Sequence, residues 1–475
     1  MLTGNSPHTA SIHILDDESL LHSFYLYRPP IFDGDEDHGD SITGGKGWDR
    51  ESWWYKLAHV CRRWRSLIFG SASYLGLCLV CTYGTPIADM LAHSPPFPLV
   101  IDYLDENRDL TAEDEEGIML ALEQRDRVRR IRLVNMPFLK LQKIIMIMDE
   151  EYPVLEYLIM SPSEDEGMGL MFPNTFQAPH LHQLALIGFA IPMGSRLLTT
   201  AMDIVTLSFF MTDPSTHFQL HWITFMPQLE MLTIIFLSSV PNRDVERHLM
   251  RTPITTHVTF PNLRTFMFQG VSAYMEAVVR RITTPRLEKL GIEFFNQLTF
   301  SVPRLTQFIN TTENLRFDSS EIKLSEDEVH IRVYREEDET YALSISIFCW
   351  HLDWQVSFVA QIFNSRSQIS PAVEHLTLEH EEHSRSSEEH NQVDRAEWHK
   401  LLMSFNKVKT LRVEDGLVKE LSRSLRPDDG ELPPELLPEL QELTYSRSDD
   451  TGDAFTPFID TRQGAGRPVT LIHLE

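Results

Sequence analysis

The richest cluster of ligand-type side chains is His380-Glu-Glu-His383, with His375 and His390 nearby in sequence. Imidazoles and carboxylates bind zinc, but a helical zinc motif spaces its two histidines four apart, so that both lie on one face. Here the spacing is three and no helical pattern surrounds it, so the stretch reads as a solvated loop. Cys78-x-x-Cys81 lacks the second pair of a four-ligand zinc site. It also lies in a strand-like run, away from the helix N-terminus a redox pair uses, so both thiols read as structural. Asp33-x-Asp35-x-Asp37 begins like a calcium loop, yet its sixth position is His38 and its twelfth is Gly44. Gly44-Gly45-Lys46-Gly47 has neither the spacing nor the hydroxyl of a phosphate-binding loop, and no Gly-x-Ser-x-Gly elbow occurs. The expectation is a protein with no catalytic residue, no metal and no cofactor.

The totals agree with a binding role. The chain has 475 residues, 42% of them hydrophobic, enough to bury a large core. Its formal net charge of −27 disfavours nucleic acid and anionic membrane as partners. Four cysteines (Cys61, Cys78, Cys81 and Cys349) fit a reducing compartment. No signal-peptide pattern opens the chain and no apolar run approaches a membrane span. The cytoplasm or nucleus is therefore expected.

The stretch Trp53–Leu75 organises the N-terminal region. Trp53, Trp54, Leu57, Val60, Cys61, Trp64, Leu67 and Ile68 fall on one helical face, with Lys56, Arg62, Arg63 and Arg65 mainly opposite. This predicts one helix ended by Gly70. Before it, Asp16 or Asp17 caps a helix carrying Leu20, Leu21, Phe24 and Tyr25. Between them, residues 28–52 hold Pro29, Pro30, several glycines and a run of acids, and read as a flexible insert. Asp16-Asp-Glu-x-Leu-Leu-x-x-Phe24 followed by Val60-Cys61-x-x-Trp64-Arg65 resembles an F-box. Asp16 stands where that motif usually has proline, and the insert is a second departure.

From Leu75 onward strands and helices alternate. Predicted strands include 75–80, 98–103 and 128–133. Predicted helices include 86–93, a capped one from Thr111-x-x-Asp114 into 118–124, and 137–148. A motif repeats through this part. Pro153-x-Leu155-x-x-Leu158-x-Met160 returns at Pro179, Pro227, Pro261, Pro285, Pro371 and Pro438, with weaker copies around Ile131, Leu207 and Leu411. Pro153 and Pro179 are 26 residues apart, and Pro261 and Pro285 are 24 apart. A period of roughly 20–29 residues with L-x-x-L-x-L is the leucine-rich-repeat signature. Each unit buries its apolar edge only against its neighbours. Between about 305 and 370 the period is lost. There Glu328–Tyr334 and Tyr341–Phe348 alternate as strands about a charged turn, and Asp353–Asn364 reads as a helix. His380–Asp394 and Ser422–Leu432 read as loops, and Val469–Ile472 as a terminal strand.

The chain as a whole resembles F-box proteins with leucine-rich-repeat-like C-terminal domains, especially the divergent families of mushroom-forming fungi. The fold this implies is α/β: an F-box-like helical segment at 1–74, then a curved solenoid of alternating strands and helices at 75–475. The implied function is substrate recognition for a cullin–RING ubiquitin ligase, without enzymatic activity of its own. The partners would be the ligase's adaptor subunit and an unknown protein substrate. The resemblance assigns adaptor docking to Leu15, Leu20, Leu21, Phe24, Leu57, Val60, Cys61, Trp64 and Ile68. In a leucine-rich repeat the residues flanking the strand leucines face the concave side. Here that gives Tyr157, Ile159, Gln183, Ala185, Thr206, Ser208, Met231 and Thr233, then Thr265, Met267, Lys289, Gly291, His375, Thr377, Thr410 and Arg412. Their mixed chemistry suits a protein surface better than a phosphate or a nucleic acid. The alternative is a repeat scaffold not coupled to ubiquitination.

Overall fold

A computed structural model describes residues 15–29, 53–104, 108–163, 170–192, 194–211, 226–236, 257–297, 300–315, 317–335, 341–363, 372–380, 395–426, 436–446 and 454–474. Two compact units divide the chain at 201/202.

The first unit opens with α1 (Asp17–Tyr27), α2 (Trp54–Ala58), α3 (Arg62–Gly70) and α4 (Ala72–Leu75). Asp16 caps α1 as the sequence suggests, accepting a 2.7 Å bond from the Ser19 amide. The predicted continuous helix from Trp53 is broken. Cys61 is extended, at φ −159°, and Arg65 Nε donates to the Ala58 carbonyl at 3.0 Å, occupying an acceptor that a continued helix would have used. A 3.6-residue period survives such a break because both pieces turn their apolar sides to the same core. Leu75–Val80 is also not one strand. Leu75 ends α4, and Gly76 takes the left-handed conformation (φ +63°) that glycine adopts without strain.

Strands β1 (Leu79–Cys81), β2 (Leu99–Tyr103), β3 (Val128–Met136) and β4 (Tyr157–Pro162) follow. After them come β5 (Leu170–Met171), β6 (Gln183–Ile187) and β7 (Phe189–Ala190). The order β1-β2-β3-β4-β6 is parallel throughout, with β5 and β7 paired separately. Helices α5 (Ile87–His93), α6 (Ala112–Leu122), α7 (Phe138–Ile147) and α8 (Arg196–Thr200) lie between or after them. The Thr111–Asp114 capping box is present at α6. The N-terminal helices share this unit's core. Trp54 Nε1 donates to the Cys78 carbonyl at 3.2 Å, and its ring meets Phe97 edge-on at 5.7 Å.

The second unit contains β8 (Thr206–Met211), β9 (Met231–Phe236), β10 (Val258–Thr259), β11 (Thr265–Gly270), β12 (Ile282–Thr283) and β13 (Lys289–Phe294). It continues with β14 (Ser319–Leu324), β15 (Glu328–Tyr334), β16 (Tyr341–Phe348), β17 (His375–His380), β18 (Thr410–Val413), β19 (Glu442–Ser446) and β20 (Thr470–Leu474). Its helices are α9 (Ser272–Val279), α10 (Pro303–Thr311), α11 (Leu352–Ile362), α12 (Arg395–Leu402), α13 (Asp415–Leu425) and α14 (Thr456–Gly464). Strand order is β8-β9-β11-β13-β16-β15-β14-β17-β18-β19-β20. All neighbours are parallel except β15, antiparallel to both β14 and β16. Ser422–Leu425 belong to α13, correcting the loop reading. Residues 30–52 and 381–394, which carry most of the insert and His383 and His390 of the histidine cluster, lie outside the described residues.

The repeating motif has a local cause. In the copies at Pro153, Pro179, Pro227, Pro285 and Pro438 proline occupies the second position of a four-residue turn, where its fixed φ is pre-set. The turn closes by a bond from the first motif leucine to the residue before proline: Leu155 to Tyr152, Leu181 to Ala178, Leu229 to Met226, Leu287 to Thr284 and Leu440 to Leu437, at 3.1–3.3 Å. The next residue donates to the preceding strand's lead-in, as in Glu156 to Arg129, Glu230 to Val205, Glu288 to Arg264 and Gln441 to Lys409, at 2.8–2.9 Å. The motif leucines are buried in every strong copy.

Candidate functional site

Alternation along each strand puts motif leucines on one side and the flanking residues on the other. In the second unit register aligns these flanking residues into rows. Thr206, Met231, Thr265 and Lys289 pair in succession, as do Ser208, Thr233, Met267 and Gly291. Met267 lies across Gly291, where a Cβ would fall 2.5 Å from its side-chain end. Farther along, His375 pairs with Thr410 and Thr377 with Arg412, and His375 Nδ1 lies 2.7 Å from Thr410 Oγ1. Met267, Lys289 and Arg412 are exposed and the others half-buried, apart from buried Gly291.

The gap between these groups is filled by β14–β16, which the leucine pattern does not mark. The row of Gly291 continues through Ser344, Arg332, Glu321 and Thr377. The parallel row runs Gln269, Glu293, Ser346, His330, Lys323 and Glu379. Polar side chains on alternate positions of Glu328–Tyr334 and Tyr341–Phe348 were the available signal.

His330 is the centre of this patch. Its Nε2 accepts from Arg332 Nε at 3.2 Å and lies 3.1 Å from Ser344 Oγ. With Nε2 accepting, the ring proton sits on Nδ1 and donates to Ser346 Oγ at 3.0 Å. Burial, then the charges of Arg332 and Lys323, pull its pKa down to about 4. Arg332 stands 4.8 Å over the Tyr341 ring and 3.4 Å from Glu321 Oε1. Burial holds Glu293 and Glu379 above the usual carboxylate range, helped by Glu328 and by Glu414 and Glu321 respectively. The His330 lone pair is already engaged, so this ring is placed to orient neighbours and not to take a proton. The patch offers fixed hydrogen-bonding groups.

In the first unit Tyr157 pairs with Gln183 and Ile159 with Ala185. Tyr157 and Gln183 are half-buried, but Ile159 is 4% exposed and packs with Val134 and Ala185. Ile159 therefore belongs to a small apolar cluster and is withdrawn as a contact residue. Asp102 and Arg132 form a bidentate pair on the same side, with Arg132 Nε to Asp102 Oδ1 at 2.9 Å.

The residues assigned to adaptor docking separate into two groups. Leu20, Phe24, Trp64 and Ile68 are buried in the chain's own core and support a surface without forming it. Leu15 and Val60 are exposed, while Leu21, Leu57 and Cys61 are half-buried. Leu26, at 70% exposure, and Tyr27 extend the apolar surface and were missed, since they lie off the helical face that the sequence marks. Arg63 ties the start of α1 to α3, reaching Asp17 Oδ1 at 2.7 Å and the Leu15 carbonyl at 2.6 Å.

Cys78 and Cys81 are buried, and burial pushes the Cys81 thiol up to about 12. Among the described residues no group of three or more His, Cys, Asp or Glu side chains could hold a metal ion. Among them too, no helix is long and apolar enough to cross a membrane. No protein-family model matches the chain, and no curated protein matches it.

Proposed function

We propose that the protein is the substrate-recognition adaptor of an F-box-type cullin–RING ubiquitin ligase, working in the cytoplasm or nucleus. In this reading the apolar side chains that α1–α3 leave in solvent dock on the ligase's adaptor subunit. The polar face of the second unit's strands, arranged in a leucine-rich-repeat-like manner, holds a protein substrate. Val60 carries the reading. It is an apolar side chain left 59% exposed at the joint between α2 and α3, next to Leu57 and Cys61 of the resemblance. Groups of exposed apolar residues mark interaction surfaces.

The test is capture of purified protein by the ligase adaptor subunit, comparing wild type with Val60→Glu and Leu15→Glu. Both substitutions are at exposed positions and leave the core intact. Capture of wild type, lost in these folded variants, is the expected result. Failure of well-folded wild type to be captured would sink the ligase role.

A second reading is a binding scaffold without ligase coupling. Burial of Leu20, Phe24, Trp64 and Ile68 favours it, because it leaves only Leu15, Leu21, Leu57, Val60 and Cys61 of the nine for docking.

A further inference from the structure

The end of β16 leads directly into α11 through Cys349-Trp350-His351. Trp350 is 66% exposed and Trp354, in the first turn of α11, is 41% exposed. Tryptophan is the largest apolar side chain, and two left in solvent four residues apart are unusual outside binding surfaces. The His351 ring meets Trp354 at 5.1 Å.

This corner is rigidly built. Gln355 is fully buried, and its Nε2 donates to the Cys349 carbonyl at 2.7 Å and to the Ser325 carbonyl at 2.8 Å. The Cys349 amide donates to the Asp327 carbonyl at 2.7 Å. These bonds clamp the turn between β14 and β15 beside the tryptophans. That turn reads Ser325-Glu-Asp-Glu328, with Glu326 and Asp327 exposed. Asp353 adds an acid from α11. From Tyr341 to Phe363 the chain has no lysine or arginine. Burial and Asp327 hold the Glu328 carboxyl above its ordinary range, against the opposing charge of Lys323.

We propose that this corner docks a partner-protein segment bearing arginine or lysine. The cation would sit over an indole face while the aliphatic stem covers apolar surface and the rim acids balance its charge. Exposed tryptophans with a charged rim have the composition of an interface hot spot. The corner uses no residue of the N-terminal helices, so the inference stands whether or not the ligase reading holds.

The probe is the synthetic peptide acetyl-Gly-Arg-Gly-Arg-Gly-Arg-Gly-amide, titrated into the full chain and followed by calorimetry. The citrulline analogue, neutral and nearly isosteric, is the control. Arginine peptide should bind, with the citrulline peptide at least tenfold weaker. Trp350→Ala and the pair Glu326→Gln/Asp327→Asn should each weaken binding about tenfold, whereas Glu113→Gln, an exposed acid on α6, should leave it unchanged. Equal binding by Trp350→Ala, or equal weakening by Glu113→Gln, would mean diffuse attraction to an acidic protein and overturn the proposal. Binding to phosphatidylcholine vesicles, or dimerisation abolished by Trp350→Ala, in place of peptide binding would also overturn it.

Discussion

The ring of Phe24 meets the ring of Trp64 edge-on, 4.8 Å between centroids at an interplanar angle of 63°. Together they fasten α1 to α3 across the insert, and both are almost fully buried. Phe24→Ala should cost about 3–5 kcal/mol, the range for emptying a buried aromatic position. Val60→Ala should stay within about 0.5 kcal/mol. Urea denaturation followed by tryptophan fluorescence distinguishes them, and equal effects would contradict the packing.

Asp114 gives a pH-dependent contribution. Burial raises its pKa, but bonds from the Thr111 hydroxyl and from the Gly84 and Thr111 amides outweigh it, so the net shift is downward. A depressed folded-state value means that the stability is present above the unfolded value, about 3.9, and is lost as pH falls through and below it. Asp114→Ala should cost on the order of 2 kcal/mol at pH 7 and clearly less at pH 3. A cost independent of pH would refute the assignment.

His330 should remain neutral until about pH 4. Its unfolded value is about 6.5, so the unfolded chain binds the extra proton first. Stability then falls as pH drops from about 6.5 towards 4, and His330→Gln should flatten that part of the curve. Nuclear magnetic resonance of the imidazole carbon-bound protons gives the midpoint directly. Arg332→Ala should raise it, since one repelling charge and one bond to Nε2 are removed.

Arg462 is buried and donates to four carbonyls, those of Leu436, Leu437, Pro438 and Leu440, at 2.9–3.5 Å. Leu437 is left-handed, φ +51°, so the guanidinium braces a strained turn just before β19. Arg462→Ala should cost on the order of 3 kcal/mol. Arg462→Lys should recover only part of that, because an ammonium cannot reproduce the planar fork. Hydrogen exchange should accelerate first in residues 436–446.

Much of the strand pattern was legible because proline and leucine act locally. Proline sets the turn and the leucines set the inward side, as the Leu155, Leu229 and Leu287 turns display. Alternation alone found β15 and β16. It missed β14, whose Ser319 and Ser320 are buried polar residues where a pattern reader expects leucine. That omission also hid the His330 patch, since the patch exists only when β14, β15 and β16 lie side by side. The break at Cys61 was invisible for the opposite reason: apolar spacing records which side faces the core and not whether the backbone is continuous. The exposure of Trp350 and Trp354 depends on packing of distant elements and had no sequence signature.

The reversed strand β15 has a consequence for synthesis. The chain leaves β13, passes through α10, and lays down β14 three places away. Only after turning back twice does it place β16 beside β13. On a ribosome adding about 5–20 residues per second, the β13 edge therefore stays open until residues 341–348 have emerged. Its unpaired amides and carbonyls are a template for the wrong strand during that interval, so this is the stage at which a nascent chain most needs shielding.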